Sequence, residues 1–335
     1  MQLRVATTCL VLVTMLGCGD DDDQAAADGG RDSGSSEHPR AGQGGSGGKS
    51  GAGGTKPAAG AGGMSSPADD AGASDLQSVT IRFQAKFGER DLDCDASYTL
   101  PSLGTTSIRP ADFRFFVQEV RLISASGHEE PVIFDDRPPA QTRDVALIDL
   151  TEQTGPCRSG TSALNTTITG KVARGTYRGI RFVNGVPESL NHQDLAEAKP
   201  PLDDATTNWG WTLGYRFILT GLVVAPGDVT DADGGVAPQA GASVVHVGAV
   251  GCSGSTKNGF TCAQPNRNQI ALDSFDPEKN VIVADLARVF AGVDLGKPLE
   301  CHGPSSPACK APYAALGLNA ENGMPLETQS VFRIE

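Results

Sequence analysis

The chain holds only two tryptophans and five histidines, and the ones that could do chemistry are grouped. Trp209 and Trp211 stand one residue apart in NWGWTLGYRF, with His192 upstream in NGVPESLNH and His246 downstream in SVVHVG. Imidazole suits copper and zinc. Two neighbouring indoles suit electron hopping, and each N–H needs a partner when buried. The bland alternative is a core. If Trp209 to Phe217 is a strand, alternation places Trp209, Trp211, Leu213, Tyr215 and Phe217 on one bulky face. A histidine within a strand is also more often a hydrogen-bonded core residue than a ligand. His38 falls in a linker, His128 in the turn SASGHEE, and His302 beside Cys301, where it reads as structural or exposed. Asp194, Asp203 and Asp204 flank the tryptophans, but nothing defines an acid–base pair.

Cysteine is the other chemically active residue. Cys94, Cys157, Cys252, Cys262, Cys301 and Cys309 lie beyond the N-terminal region, and an even count in an exported chain reads as disulfides. Proximity favours Cys252–Cys262 and Cys301–Cys309, leaving Cys94–Cys157. Neither CxxC nor CxxCH occurs, so zinc, thioredoxin-type chemistry and attached c-type haem are not expected. Other short motifs fail on inspection. GQGGSGGKS has Gln43 where a phosphate loop needs glycine. DADGG has Val229 and Ala240 where a calcium loop needs acids. GCSGS lacks the last glycine of a nucleophile elbow.

The first eighteen residues, MQLRVATTCLVLVTMLGC, have an early positive charge and a short apolar run ending in Met15-Leu16-Gly17-Cys18. This is a secretory signal with a lipobox-like end, making Cys18 the lipidation candidate. No later run approaches the ~20 apolar residues of a membrane helix, so membrane contact is expected only through that anchor. Residues 19–78 are rich in Gly, Ala, Ser and Asp and cannot bury enough surface to fold, so they read as a disordered tether. A net charge of −13 argues against nucleic acid.

Residues 79–335 form the folded domain. SVTIRFQAKF alternates cleanly, and DFRFFVQEVRLISA, DVALIDL, GTYRGIRFVNGV, SVVHVGAV, NQIALDSF, KNVIVADL and QSVFRIE continue the series. Many strands without alternating helices imply an all-β, antiparallel sandwich or barrel-like fold, disulfide-stapled. Short helices fit LARVFAG and YAALGL.

Taken in order, Asp112 to Val117, VALIDL at 145–150 with Cys157, GTYRGIRFVNGVPESLNH, NWGWTLGYRF, VVHVGAVGCSGS, TCAQPN, Cys301 with Cys309, and QSVFR form one set. This set resembles the metallo-mystery pair four-Cys family, the MbnP-like proteins associated with methanobactin operons. The resemblance implies a copper-binding protein, periplasmic or at the outer membrane or cell surface, and not an enzyme. It implies a dihaem partner of the cytochrome c peroxidase or MauG type that oxidises a tryptophan to kynurenine. His192 and His246 would be the metal ligands and Trp209 or Trp211 the modified residue, Trp209 being nearer the turn. The alternative is a disulfide-stapled surface lipoprotein acting as a structural or protein-binding module without metal. Replacing Cys18 by Ser should move the protein from the membrane to the soluble fraction on cell fractionation; unchanged membrane retention would exclude the anchor.

Overall fold

The computed structural model describes residues 75–100, 107–158, 164–224, 241–304 and 306–335. The leader, Cys18 and the tether before residue 75 lie outside these residues, as does DADGG. The first strand, Leu76–Phe87, begins three residues earlier than the sequence boundary. Its alternation holds: Val79, Ile81, Phe83 and Phe87 are buried, whereas Arg82 is exposed.

Two sheets share one core. The smaller runs, in spatial order, Phe332–Ile334, Ile282–Asp285, Leu76–Phe87, Thr167–Ala173 and Ile133–Phe134. The larger runs Asn268–Asp273, Tyr177–Asn184, Ser107–Ser124, Arg216–Val224, Ala242–Gly248 and Glu300–Cys301. Pairing is antiparallel as expected except at two places. Leu76–Phe87 runs parallel to Ile282–Asp285, and Ala242–Gly248 runs parallel to Glu300–Cys301. Four rings join the sheets edge to face: Phe83 and Phe332 from the smaller, Phe115 and Phe182 from the larger, with centroids 5.4–5.9 Å apart. Such pairs add about 0.5–1.5 kcal/mol each beyond the area they bury. The short helices appear at Leu286–Val289 and Lys310–Ala315, the first capped by Asp285, whose side chain accepts from the Ala287 N–H.

The eighteen-residue strand Ser107–Ser124 organises the larger sheet, and residues 112–118 are buried on both faces. Phe113, Phe115 and Val117 alternate towards the shared core, so Asp112, Arg114, Phe116 and Gln118 face outward. What buries that outer face is the segment between the strands Tyr177–Asn184 and Arg216–Val224. Val186, Leu202 and Tyr215 pack there, and the Tyr215 ring meets Phe116 edge-on.

One polar group pins this covering segment. Arg114, with no exposed surface, makes two parallel bonds to Asp112, each 2.8 Å. Its remaining nitrogen donates to Thr206 Oγ1 at 2.9 Å and Asp204 Oδ2 at 3.3 Å. Burial pushes the Asp112 carboxyl up, opposed by the guanidinium bonds. Breaking a buried pair by removing one partner strands a charge and costs about 3–5 kcal/mol. Arg114→Leu should lower stability by that order in urea unfolding, and an unchanged midpoint would show that water already reaches Asp112.

Candidate functional site

The segment NWGWTLGY does not continue the strand that follows it. The strand begins only at Arg216, and residues 208–215 fold back on themselves. Asn208 pairs across with Tyr215, the Trp209 N–H donates to Gly214 O, and the Leu213 and Gly214 N–H groups both donate to Gly210 O. Gly210 and Gly214 have φ of +101° and +83°, a region side chains disfavour. This overturns the single bulky face expected from alternation. Tyr215 and Phe217 are core, but Trp211 is 53% exposed and Leu213 56%. Trp209 is half-buried. Trp209, nearer the turn, is expected from the sequence to be the more accessible indole; the structure makes Trp211 the more open one.

The loop is held from below by Asn191 and His192. Buried Asn191 accepts the Tyr215 N–H through Oδ1 at 3.0 Å and reaches His192 Nε2 with Nδ2 at 3.1 Å. A Cβ on Gly214 would lie 2.7 Å from that amide. His192 Nδ1 lies 2.8 Å from the Trp211 carbonyl oxygen. A carbonyl only accepts, so Nδ1 carries the proton and Nε2 presents its lone pair. The ring stacks on Phe260 at 4.1 Å between centroids, and Nε2 lies 3.6 Å from Cys262 Sγ.

His246 lies in a different group. In Ala242–Gly248, Ser243, Val245 and Val247 point inward, so His246 and Gly248 share the outer face. The register places Arg114, Leu219 and His246 in one cross-strand row, and Arg216 opposite Gly248. Parallel pairing sets Cys301 beside Val245 and so carries His302 alongside His246. Their Nδ1 atoms are 3.3 Å apart. Trp209 completes the group: its ring meets His302 edge-on at 6.2 Å, with the Arg216 guanidinium 5.5 Å from the indole centroid. Burial, reinforced by Arg216 and His302, pushes His246 down to about 3, so it is neutral at physiological pH and available as a ligand.

The four residues singled out by sequence thus divide in two. Trp209 and His246 are brought together with His302, whereas His192 sits under the Trp211 backbone. Among the described residues no hydrogen bond or ring contact joins His192 to His246. His302 is exposed as expected, but its partnership with His246 was not foreseen. Its only sequence signal is that it follows Cys301, whose strand pairing is non-local.

All three disulfides expected from spacing are formed: Cys94–Cys157, Cys252–Cys262 and Cys301–Cys309. The donor atoms of His192, Cys252 and Cys262 lie within 4.8 Å of one another, but oxidised sulfurs are not thiolate ligands.

The glycine two residues after His246 has a steric reason. A Cβ at Gly248 would lie 2.5 Å from Trp209 Cζ3 and 2.5 Å from the Tyr215 carbonyl oxygen. Gly248→Ala should therefore displace the indole, destabilise the fold by about 1–3 kcal/mol and change tryptophan emission in a Trp211→Phe background. Unchanged emission would show that Trp209 does not rest on Gly248.

The family model for MbnP matches residues 76–303, spanning both histidine groups and both tryptophans. No curated protein matches the chain. Among solved structures, MbnP from Methylosinus trichosporium is similar, with a TM-score of 0.65 and 27% identity. The match covers 77% of this chain and 98% of that one. With its all-β fold, three disulfides and this match, the chain belongs to the MbnP family, a family of extracytoplasmic proteins.

Proposed function

We propose that this protein is an extracytoplasmic copper-binding protein whose imidazole ligands are His246 and His302, with Trp209 oxidised to kynurenine by a dihaem partner. The observation that carries this reading is the 3.3 Å separation of the two Nδ1 atoms beside the Trp209 ring. Metal–nitrogen bonds of about 2 Å at a near-tetrahedral angle separate two nitrogens by about 3.3 Å. The donor set therefore fits one ion with little rearrangement. Copper, when bound, supplies a centre that accepts neutral imidazole in either oxidation state.

The chain's own residues prepare that position. His246 is held neutral by burial, so no proton competes for its lone pair. His302 arrives from an edge strand anchored by the Cys301–Cys309 bond. Indole has no lone pair suited to a metal, whereas opening its five-membered ring yields an aromatic amine and a ketone. On Trp209 those groups would form within reach of the two imidazoles. Trp211, more than half exposed, presents the second indole outward, where a redox partner can dock. This assignment replaces His192 with His302 in the pair expected from sequence. The protein is then a carrier rather than a catalyst, tethered to the membrane through Cys18.

The test is copper content after dialysis, with peptide masses, for protein made with and without the dihaem partner. Copper retention with the ring-opening mass change on Trp209 is expected when the partner is present. His246→Ala and His302→Ala should each lose copper with unchanged circular dichroism, while His192→Ala keeps it. Copper retained by the His246→Ala/His302→Ala double variant, or modification confined to Trp211, would overturn the assignment.

A further inference from the structure

The second histidine group has a construction that the copper reading does not use. His192 sits on the wall of a cavity of about 600 Å³ that is also lined by Glu188, Asp194, Glu197 and Phe260. Its Nδ1–H is committed to the Trp211 carbonyl, so Nε2 carries the lone pair, which accepts from Asn191 Nδ2 at 3.1 Å with Cys262 Sγ 3.6 Å away. An imidazole fixed by a carbonyl on its far nitrogen is arranged as metal-binding histidines are. Directly opposite one another in the hairpin formed by Val250–Ser255 and Gly259–Gln264 are Cys252 and Cys262. Both sulfurs lie within 4.8 Å of the imidazole donor.

The three disulfides differ in access. Cys94, Cys157, Cys301 and Cys309 are buried, at 5% exposure or less. Cys252 and Cys262 are only partly buried, in a two-stranded hairpin whose outer residues face solvent. Exposed disulfides are the labile ones in thiol exchange. The cross-strand main-chain bonds of the hairpin do not depend on the sulfur–sulfur bond, so the two side chains remain opposed when it opens.

We propose that Cys252–Cys262 is a reductive gate on a soft-metal site, in which Cys252 Sγ, Cys262 Sγ and His192 Nε2 bind a thiophilic cation after reduction. A dithiol reductant attacks one sulfur, passes through a mixed disulfide and leaves oxidised to its own disulfide. The two electrons reside on Cys252 and Cys262 as thiols. Binding the cation then releases two protons, one from each thiol. The Nε2 lone pair exchanges its Asn191 hydrogen bond for the metal. Glu188, Asp194 and Glu197 give the cavity a negative field that concentrates cations at its mouth. In the oxidised state the site is closed to metal, because a disulfide is a poor ligand.

The test uses the full chain and cadmium(II) alone as probe, because its thiolate bonds give an ultraviolet charge-transfer band that imidazole sites lack. Limiting dithiol reductant followed by alkylation and peptide mapping should label Cys252 and Cys262 before the other four cysteines, with circular dichroism unchanged. The reduced protein should then show the band at one equivalent, and the oxidised protein and Cys252→Ser/Cys262→Ser should not. Losing an outer partner of a ligand costs about 10- to 100-fold in affinity, so losing the ligand itself in His192→Gln should weaken binding by about tenfold or more. The His246→Ala/His302→Ala variant should behave as wild type here, which separates this proposal from the copper assignment. Opening of the buried disulfides first, loss of folded signal on reduction, or equal cadmium affinity in His192→Gln would each overturn it.

Discussion

The outer face of the larger sheet depends on one guanidinium. Arg114 projects from the buried middle of Ser107–Ser124, and four acceptor atoms on Asp112, Asp204 and Thr206 surround it. A charge in that position is tolerable only with its bonds complete, so the covering segment must descend far enough to complete them. That descent fixes Asp204, whose side chain also caps the turn at Ala205–Thr207. The Thr206 carbonyl then receives Arg216 Nη1 at 2.7 Å, and Arg216 lies against the Trp209 ring. A single buried ion pair thereby sets the height and entry angle of the tryptophan loop. Hydrophobic cover alone would leave that loop free to slide, because apolar contact has no direction.

The fold was legible wherever side-chain periodicity records it. Leu76–Phe87 shows this best, since one face is buried and the other wet. The disulfides were legible too, because two of the three close short loops and the third follows by subtraction. The tryptophan loop was not. Alternation counts side chains and is blind to φ, and in this loop Gly210 and Gly214 reverse the chain before the period can matter. Two glycines four residues apart are the local signal, and it competes directly with the pattern of bulky residues around them.

The candidate site was half legible for a different reason. His246 and Gly248 belong to one strand, so a two-residue period already places them together. His302 reaches them through a parallel pairing between a seven-residue strand and a two-residue one. Such a pairing leaves almost no imprint on the sequence of either partner. His192 was grouped with His246 because both flank the tryptophans in order along the chain. The fold separates them by giving each indole its own neighbourhood, Trp209 by its ring and Trp211 by its backbone carbonyl.

The ladder between Arg216–Val224 and Ala242–Gly248 has a directional consequence. Arg216 opposes Gly248 at one end, and Val223 opposes Ala242 at the other. At about 3.4 Å per residue, His246 stands roughly 14 Å from the end where residues 225–240 join the two strands. The antiparallel pairing between them is a rigid spacer. His246 is therefore positioned by the ladder itself, several residues inward from the end at which the two strands leave it. The same end of the hairpin is the natural place to graft a reporter or an affinity handle.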